Sequence, residues 1–420
     1  MQTIATSAGN AARSPTAEGA EAKKLSVYVH FPWCLQKCPY CDFLSIATPP
    51  KCVPHDAYAS AVLRELERRA RDVGSRRLET VFFGGGTPSL WKTTELRRVL
   101  DGIFDAFGSP GADVEVSVEC NPSSFDADKA RELVDAGVNR VSIGVQSLDA
   151  KRLEFLGRLH DAAGGLAAVE AALRTDGLRV SADLIFGVAG ESPEDAVREA
   201  LRVADLGVTH LSAYALTIEP GTQFGARARK GRLPLLGEDL VAESFTAVHE
   251  ALTSRGFEHY EVSNFAKGGH RARHNLAYWL GDDYLGLGTG AWGTVEVGAK
   301  GASERFRYRN TTLPDRYLAT EPTWDTADLR RGAPGELVLE YEPISGATAF
   351  SERLMLGLRL ADGLDVESAA RDLGVDPWPI ERRRAVDRLE ARGRIRKDGP
   401  RLAIPHDAWL FADGTIAEII

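Results

Sequence analysis

Cysteine is scarce in this sequence, the N-terminal residues have no long apolar stretch, and the chain has no excess of positive charge. The 420 residues include five cysteines, too few for a small secreted domain held together by disulfides, so we expect a reducing compartment. The formal net charge of −9 argues against a general nucleic-acid surface, because phosphate binding needs a basic footprint.

Residues 1–24 contain no apolar stretch long enough for a signal peptide or a membrane span. We expect a disordered tail there, with an organellar transit peptide as the alternative. The expected location is the cytoplasm, with association at a membrane surface left open. Hydrophobic residues make up 44% of the chain, enough to bury one large core and a second, smaller one.

Cys34, Cys38 and Cys41 form a C-x3-C-x2-C triplet directly after a run that predicts a β-strand. Three neighbouring thiols cannot all pair as disulfides, because one is always left over. Thiolates bind iron–sulfur clusters strongly, and three of them can hold three corners of a four-iron cube. The fourth iron would then lack a protein ligand and could bind a substrate or cofactor.

Two alternatives compete with the cluster interpretation. Structural zinc sites use four ligands, usually two pairs of cysteine or histidine, and the sequence has no second C-x2-C pair. Cys52 and Cys120 stand alone, and His30 is expected to lie inside the strand. The other alternative is three buried cysteines without a ligand role, which the close spacing and nearby prolines disfavour. The pattern therefore favours the cluster.

From Leu25 onward, short apolar runs alternate with amphipathic segments. The runs predict strands at 25–31, 79–83, 113–119, 139–146, 179–186 and 209–216. Helical periodicity falls between them, near 56–73, 93–107, 126–136, 149–156 with 161–175, and 193–206. Such repeats imply parallel strands joined by right-handed crossovers. The periodicity alone does not separate an incomplete barrel from an open doubly wound sheet.

Candidate binding residues fall at the ends of these strands, where chemistry gathers in parallel α/β folds. The cysteine loop follows the first strand, and the glycine-rich segment 84–88 follows the second. Glu119 ends the third strand, Gln146 ends the fourth, and Asp183 lies in the fifth. Glycines let backbone N–H groups approach a polar ligand, and an acidic residue can accept hydrogen bonds from a ribose.

Several of these residues also have an ordinary structural interpretation. A triple glycine can be a tight turn, and Glu119 can be a capping or surface carboxylate. Arg158, in L-G-R-x-H, can be a solvent-facing cation at a helix end. Gln146 ends a buried strand, where an unpaired amide is costly, so we expect it to contact a ligand or the backbone.

The triplet, with Tyr40 just before its last cysteine, resembles the signature of the radical S-adenosylmethionine superfamily. The flanks Y-x-H-x-P-x-C and C-P-Y-C-D-F resemble its oxygen-independent coproporphyrinogen III oxidase-like branch, and within that branch the HemW family of heme chaperones. The resemblance implies a 4Fe-4S cluster and bound S-adenosyl-L-methionine. It also implies an α/β fold, a partial (β/α)6 radical S-adenosylmethionine barrel with a small C-terminal α+β domain that is winged-helix-like.

The resemblance extends to individual positions of this branch. It implies that the metal ligands are Cys34, Cys38 and Cys41. It does not identify a catalytic residue. The residues implied to line the S-adenosylmethionine site are Tyr28, Tyr40, Gly85, Gly86, Thr87, Glu119, Gln146, Arg158, Asp183 and, after the sixth strand, Thr217.

A second motif, H-N-x-x-Y-W, begins at His274. A histidine beside aromatic residues could ligate heme iron or stack on a porphyrin, which makes His274 the heme candidate. The alternative is a packed histidine that hydrogen-bonds the backbone. Family members often carry histidine or a small residue where this chain has Trp292, so a heme role for that position stays open.

The chain is expected to divide into four parts. These are the tail at 1–24, the barrel with its heme-related extension at 25–320, a polar linker at 321–345, and the small C-terminal domain at 346–420. In the last part, the pattern predicts helices at 348–360, 365–373 and 377–393 and a β-wing at 394–405. Arg382 to Arg384 have acidic neighbours, which favours a solvated helix face over a DNA-reading helix, so no nucleic acid partner is expected.

The resemblance yields two main hypotheses about function. In the first, the protein is a heme chaperone that passes heme to apo-hemoproteins, among them membrane-bound respiratory proteins, with an electron donor as a further partner. In the second, it is an oxygen-independent coproporphyrinogen III oxidase, which decarboxylates two propionates to give protoporphyrinogen IX. True oxidases carry an additional cysteine where this chain has Phe43, so the family pattern favours the chaperone. A radical enzyme with another substrate is the third hypothesis, because barrel and triplet are widely shared.

Overall fold

The computed structural model describes residues 22–108, 113–298, 303–319 and 337–420. The predicted tail therefore lies almost entirely outside the described residues, as does most of the predicted linker. The described residues form a large α/β domain built on one sheet and a smaller C-terminal domain with a core of its own. None of their helices combines the length and the apolar character needed to cross a membrane.

The large sheet has twelve strands among the described residues. In chain order they are β1 (Lys24–Phe31), β2 (Arg77–Gly85), β3 (Glu115–Cys120), β4 (Arg140–Gln146), β5 (Arg179–Phe186), β6 (His210–Ala215), β7 (Glu258–Glu261), β8 (Asn264–Ala266), β9 (Tyr284–Leu287), β10 (Trp292–Val297), β11 (Glu304–Asn310) and β12 (Val338–Pro343). Their order across the sheet is β12-β11-β10-β9-β1-β2-β3-β4-β5-β6-β8-β7.

The helices of the large domain fall mainly between successive strands. They are α1 (His55–Val73), α2 (Thr93–Phe107), α3 (Ala127–Asp135), α4 (Ala150–Phe155), α5 (Ala162–Leu173), α6 (Pro193–Ala204), α7 (Gln223–Ala228), α8 (Glu238–Ser254), α9 (Arg273–Trp279) and α10 (Pro314–Ala319). Side-chain oxygens of Asp126, Asp149 and Ser192 accept backbone N–H bonds at the starts of α3, α4 and α6, which explains why those helices begin where they do.

Strands β1 to β6 are parallel and lie side by side in chain order. A doubly wound sheet reverses its strand order at a switch point, and this sheet has no such reversal among those six strands. The predicted incomplete barrel is therefore confirmed. A seventh parallel strand, β9, pairs with the free side of β1.

The alternation of side chains along β1 separates the core from the barrel interior. Val27, Val29 and Phe31 are fully buried in the hydrophobic core, which also includes side chains of α1 and α2. Tyr28 and His30 point to the opposite face, where they line a cavity. The period of two therefore places polar ring atoms inside the barrel while the apolar face is covered by helices.

The predicted linker is wrong at its C-terminal end, because 338–343 form the edge strand β12. Its glutamates pair with arginines of the neighbouring strand, Arg307 with Glu342 at 3.2 Å and Arg309 with Glu340 at 3.0 Å. The polar composition that indicated a linker thus arises from cross-strand ion pairs on an exposed edge.

The C-terminal domain matches its winged-helix-like prediction. Its elements are α11 (Gly346–Gly357), β13 (Leu364–Asp365), α12 (Val366–Leu373), α13 (Ile380–Ala391), β14 (Arg396–Asp398), β15 (Arg401–Ala403), a 3-10 helix (His406–Phe411) and α14 (Ala412–Ala417). Arg382 and Arg383 donate to backbone carbonyls of the same domain, which is a structural role.

The C-terminal domain docks against β7, the edge strand at the other end of the large sheet. Glu261 forms a β-bridge with Leu360, and the Ala361 N–H donates to the Tyr260 carbonyl at 3.0 Å. The docked domain therefore covers an edge that would otherwise expose unpaired backbone groups.

A buried carboxylate ties α1 to the strands that extend the barrel. Glu65 is fully buried, accepts a 2.5 Å bond from Arg69, and also accepts bonds from Asn310 and Tyr317 at 2.8 Å and from the Gly288 N–H at 2.9 Å. One side chain therefore satisfies donors from several elements that are distant in sequence.

We predict that Glu65→Gln lowers the free energy of unfolding by about 3–5 kcal/mol, because it leaves the buried Arg69 charge uncompensated. Glu67→Gln on the same helix removes an exposed pair with Arg71 and should cost less than about 0.5 kcal/mol. Urea unfolding followed by circular dichroism measures both. Equal effects of the two substitutions would show that the buried network does not stabilise the fold.

Candidate functional site

Most of the predicted site residues line one cavity of about 440 Å³, which we call the cysteine cavity. It lies at the carboxyl ends of the parallel strands, where α/β barrels place their ligands. The predicted residues in its wall are Cys34, Cys38, Tyr40, Cys41, Gly85, Gly86, Thr87, Glu119, Gln146, Arg158, Asp183 and Thr217. The strand-end placement inferred from the sequence is therefore found in the structure.

The other two predicted residues, Tyr28 and His274, line a neighbouring cavity of about 580 Å³, which we call the aromatic cavity. Gly85, Glu119 and Asp183 line both cavities. The aromatic residues in its wall are Tyr28, Phe43, Phe82, Tyr214, Tyr278, Tyr284 and Trp292. The structure thus divides the predicted site into two adjoining compartments.

The cysteine loop is closed at its base by a two-residue parallel pairing of Trp33 and Cys34 with 46–47. Cys34 is buried, and burial raises the pKa of its thiol to about 11. Cys38 and Cys41 are half-buried, and the Cys41 sulfur lies 3.7 Å from the Ser45 hydroxyl. All three sulfur-bearing residues line the same wall of the cavity.

The donor set fits a cluster better than a single ion. Among the described residues, the three sulfurs do not form a group close enough to hold one metal ion. In a four-iron cube each thiolate binds a different iron, so a wider spacing is what such a cube requires. The Arg158 guanidinium lies 3.5 Å from the Cys38 sulfur, and its Nε is buried without a hydrogen-bond partner. These observations favour the cluster over the zinc alternative.

The glycine segment packs directly on the cysteine loop. The Gly86 N–H donates to the Phe31 carbonyl at 2.7 Å, and the Thr87 N–H donates to the Trp33 carbonyl at 2.9 Å. A Cβ on Gly86 would lie 2.7 Å from the Pro32 carbonyl carbon. Gly85 has a φ of 110°, and a Cβ there would overlap the His30 ring. The glycines are therefore needed for close contact with the chain itself.

Glu119 is neither a helix cap nor a surface carboxylate. It accepts a bond from the Gly85 N–H at 2.9 Å and lines both cavities. Burial and the nearby Asp183 raise its pKa to about 7, while the Gly85 bond acts in the opposite direction. Burial also raises the pKa of Asp183, although Ser142 donates to both of its carboxylate oxygens at 3.0 Å. The pair places two oxygen acceptors at the boundary between the cavities.

Arg158 and Gln146 meet at the end of β4. The Arg158 guanidinium donates to the Gly144 carbonyl at 2.9 Å, so it does not face solvent as a helix-end cation. Gln146 has a φ of 66°, in the left-handed region that rarely suits a non-glycine residue, and its side chain lines the cysteine cavity. A Cβ on Gly144 would lie 2.6 Å from the Gln146 amide nitrogen, so that glycine makes room for the amide.

Tyr40 and Thr217 lie at the outer part of the cysteine cavity. The Tyr40 ring is tilted against Phe224 of α7, whose N–H donates to the Pro39 carbonyl at 2.9 Å. Thr217 is exposed, and its hydroxyl donates to the Ala215 carbonyl at 3.4 Å. Both positions are consistent with contact to a ligand that enters from solvent.

His274 is packed in the way that the alternative interpretation describes. Its Nδ1 lies 2.6 Å from the Thr80 hydroxyl, its Nε2 lies 2.9 Å from the Tyr278 hydroxyl, and its ring stacks on Phe82. Burial lowers its pKa to about 3. With both ring nitrogens hydrogen-bonded, the expectation that His274 ligates heme iron is not supported by this arrangement. The hydrogen-bond partners of its ring are the side chains of Thr80 and Tyr278, whereas the alternative interpretation expects a bond to the backbone.

The sequence reasoning missed several residues of the two cavities. The sequence predicts no role for His30 beyond its place in the strand. In the structure its Nε2 donates to the Leu44 carbonyl at 2.8 Å, so its Nδ1 accepts from the Tyr28 hydroxyl at 2.9 Å. Its place in Y-x-H, within a buried strand, was the available signal. Arg309 lines the aromatic cavity from β11, far along the chain, and no local pattern identifies it.

Comparisons with known proteins extend over both domains. A model of the radical SAM superfamily matches residues 28–202, and a model of the HemN C-terminal domain matches residues 344–411. The chain is 39% identical to the heme chaperone HemW of Escherichia coli (strain K12) over 310 residues, which are 72% of this chain and 79% of that relative. It is 35% identical to the heme chaperone HemW of Mycobacterium tuberculosis (strain ATCC 25618 / H37Rv) over 396 residues, 94% of each protein. The resemblance noted in the sequence is thereby confirmed.

A solved structure supports the fold. Coproporphyrinogen III oxidase (HemN) from Escherichia coli, which is described as a radical SAM enzyme, matches with a TM-score of 0.75. The match covers 95% of this chain and 90% of that one at 20% sequence identity. At this identity the similarity concerns the fold and not the activity.

We predict that Cys38→Ala abolishes the broad visible absorption of the reconstituted protein, because a corner of the cluster loses its thiolate. Iron and acid-labile sulfide should fall with it, because the cluster is held by cysteine thiolates. Cys52→Ala is the matched control, since Cys52 is exposed and outside the triplet. Unchanged iron and sulfide in Cys38→Ala would contradict the cluster assignment.

Proposed function

Because this chain belongs to the HemW family of radical S-adenosylmethionine proteins, we propose that it is a heme chaperone that binds heme and delivers it to apo-hemoproteins. Membership of the superfamily implies a 4Fe-4S cluster and S-adenosyl-L-methionine. Membrane-bound respiratory proteins are among the proposed recipients, and an electron donor is a further proposed partner.

The observation that carries the proposal is the aromatic cavity beside the cysteine cavity. A porphyrin presents two flat aromatic faces and two anionic propionates, so its site needs aromatic side chains and cations. The cavity offers Tyr28, Phe82, Tyr278, Tyr284 and Trp292 as its aromatic wall, together with the guanidinium groups of Arg140 and Arg309. Its volume of about 580 Å³ lies within the usual range of cofactor sites.

The proposed heme contacts are ring faces and propionates, and His274 has a positioning role. Its Nε2 lies 2.9 Å from the Tyr278 hydroxyl, and the two rings meet edge to face. The Arg309 guanidinium carbon lies 5.3 Å from the centroid of the Trp292 ring. Its ion pair with Glu340 is partly exposed to solvent. A propionate can therefore replace that weak surface partner of Arg309.

The cysteine cavity is proposed to hold the cluster and S-adenosylmethionine. The triplet would bind three irons, and the Gly85–Thr87 segment, Glu119 and Asp183 would bind polar groups of S-adenosylmethionine. The chemistry that these groups supply when bound is one-electron reduction of the sulfonium, which releases methionine and a 5′-deoxyadenosyl radical. The chain itself contributes a compartment next to the aromatic cavity, lined by the cysteine triplet and by polar side chains.

Phe43 favours the chaperone over the oxidase. It stands where the oxidase pattern has an additional cysteine, lines both cavities, and is 59% exposed. Where the oxidase pattern has a thiol, this chain therefore has an aromatic ring that can contact a porphyrin. The oxidase remains the second candidate, because the fold is similar to that of HemN.

We predict that Arg309→Gln weakens heme binding about tenfold, because a charge-assisted bond to a propionate contributes about 1.5–3 kcal/mol. Arg307→Gln is the matched control, since Arg307 lies on the same strand but outside the aromatic cavity. Heme titration followed at the Soret band measures both variants. Equal affinities for the wild type and both variants would contradict a heme site in this cavity.

A second experiment separates the two candidate functions. The reconstituted protein is incubated anaerobically with coproporphyrinogen III, S-adenosylmethionine and a reductant, and is separately titrated with heme. We expect stoichiometric heme binding without conversion of the porphyrinogen. Formation of protoporphyrinogen IX at catalytic turnover would instead identify an oxidase, despite Phe43.

A further inference from the structure

Three histidines converge away from both cavities, where the C-terminal domain docks on the large domain. His249 lies on α8, His259 on the edge strand β7, and His406 at the start of the 3-10 helix 406–411. Each offers one ring nitrogen, and these three atoms lie within 4.8 Å of one another. The ring centroids are 5.0–5.6 Å apart. Residues of three distant segments therefore present imidazoles to one point.

Hydrogen bonds to carbonyls fix the tautomers of two of these rings. His259 Nε2 lies 3.3 Å from the Val262 carbonyl, and His406 Nε2 lies 3.1 Å from the His259 carbonyl. A carbonyl only accepts, so each Nε2 carries the proton and each Nδ1 keeps its lone pair. This is the arrangement of metal-binding histidines, whose second nitrogen usually donates to a carbonyl or carboxylate.

We propose that His249, His259 and His406 form a binding site for a divalent first-row transition metal ion, with zinc as the test ion, and that the ion joins the C-terminal domain to the large domain. Three imidazoles leave a fourth, tetrahedral position for water or another ligand. At zinc–nitrogen distances of about 2.0–2.1 Å, tetrahedral ligand nitrogens lie about 3.3 Å apart. His249 and His406 can move closer together, because the first is half-buried and the second is exposed.

His249 requires one change of protonation to complete the set. Its Nδ1 lies 2.8 Å from the Nδ1 of His259, so without a metal ion the two nitrogens share one proton, donated by His249. If His249 instead carries its proton on Nε2, its Nδ1 also presents a lone pair to the ion. The change is a tautomeric shift, so a divalent ion binds without net loss of a proton.

The surroundings hold the central ring of the group in place. His259 is buried, stacks on Phe265 at 3.9 Å, and meets the edge of Trp409 at 4.6 Å. Its ring therefore has a fixed orientation toward His249 and His406.

The proposed ion would add to docking contacts that are individually weak. Arg271 pairs with Asp362 across the domain boundary at 2.8 Å, at a partly exposed position. Other contacts nearby are backbone bonds along β7, the contacts of His259 with His406 and Trp409, and the packing of Phe245 against both hydrophobic cores. A metal ion bound by both domains stabilises only the docked arrangement, so its binding free energy favours docking.

The test uses full-length protein with its cluster already reconstituted, so that the triplet cysteines are occupied. The protein is equilibrated with zinc, passed through a desalting column and analysed for zinc and iron. We expect one zinc per chain in the wild type. We expect the zinc affinity to fall more than about 100-fold in His249→Gln and in His406→Gln, which exceeds the loss typical when a residue that only orients a metal ligand is replaced. His270→Gln is the matched control, because His270 is a half-buried histidine outside the group.

Thermal unfolding gives a second readout that does not depend on activity. Zinc should raise the melting temperature of the wild type and His270→Gln, and it should leave His249→Gln and His406→Gln unchanged. Absence of zinc from the wild type, or equal zinc content in all four proteins, would overturn the proposal. A melting temperature equally raised by zinc in all four would do the same.

Discussion

The site depends on the close approach of two chain segments, the one that leaves β1 and the one that leaves β2. Gly86 lies against the backbone of Pro32, and Gly85 leaves the space that the His30 ring occupies. Two backbone bonds, from the Gly86 and Thr87 N–H groups, fasten the segments together. Because the first segment carries the cysteines and the second carries the Gly85 N–H that donates to Glu119, this one contact sets the relative positions of the cysteine triplet and the carboxylate.

His30 extends that contact into the aromatic cavity. Burial lowers its pKa to about 4, so the ring is neutral near pH 7, with one nitrogen that donates and one that accepts. It donates to Leu44 in the cysteine loop and accepts from Tyr28 in the aromatic wall. A single neutral ring thus links the cysteine loop to the cavity proposed for heme, and protonation of the ring would reverse the direction of its bond with the Tyr28 hydroxyl.

The sequence allowed prediction of those features that depend on local patterns. The βα spacing predicted parallel strands, the resemblance to the radical S-adenosylmethionine superfamily predicted their arrangement as an incomplete barrel, and the cysteine triplet and the glycine segment identified two strand ends. Features formed by segments that lie far apart in the sequence were not predicted. The sequence predicts a linker where β12 lies, because the polar composition of that segment does not reveal that its glutamates pair with arginines of β11. The packing of His274 depends on Thr80, and the aromatic cavity depends on Arg309 and Trp292, so neither follows from a local motif.

The shared wall of the two cavities constrains how the proposed ligands act on each other. Gly85, Glu119 and Asp183 face both compartments, and the pKa of Glu119, raised by burial to about 7, makes its charge sensitive to what lies on either side. A ligand in one cavity that changes the charge or position of this carboxylate changes the affinity of the other cavity for its own ligand. Because coupling between two binding sites is reciprocal, the second ligand changes the affinity for the first by the same factor. On the proposed function, heme and S-adenosylmethionine therefore bind as coupled ligands. The exposed Phe43 ring lines both cavities as well, so on the proposed function it lies where the two ligands come closest to each other.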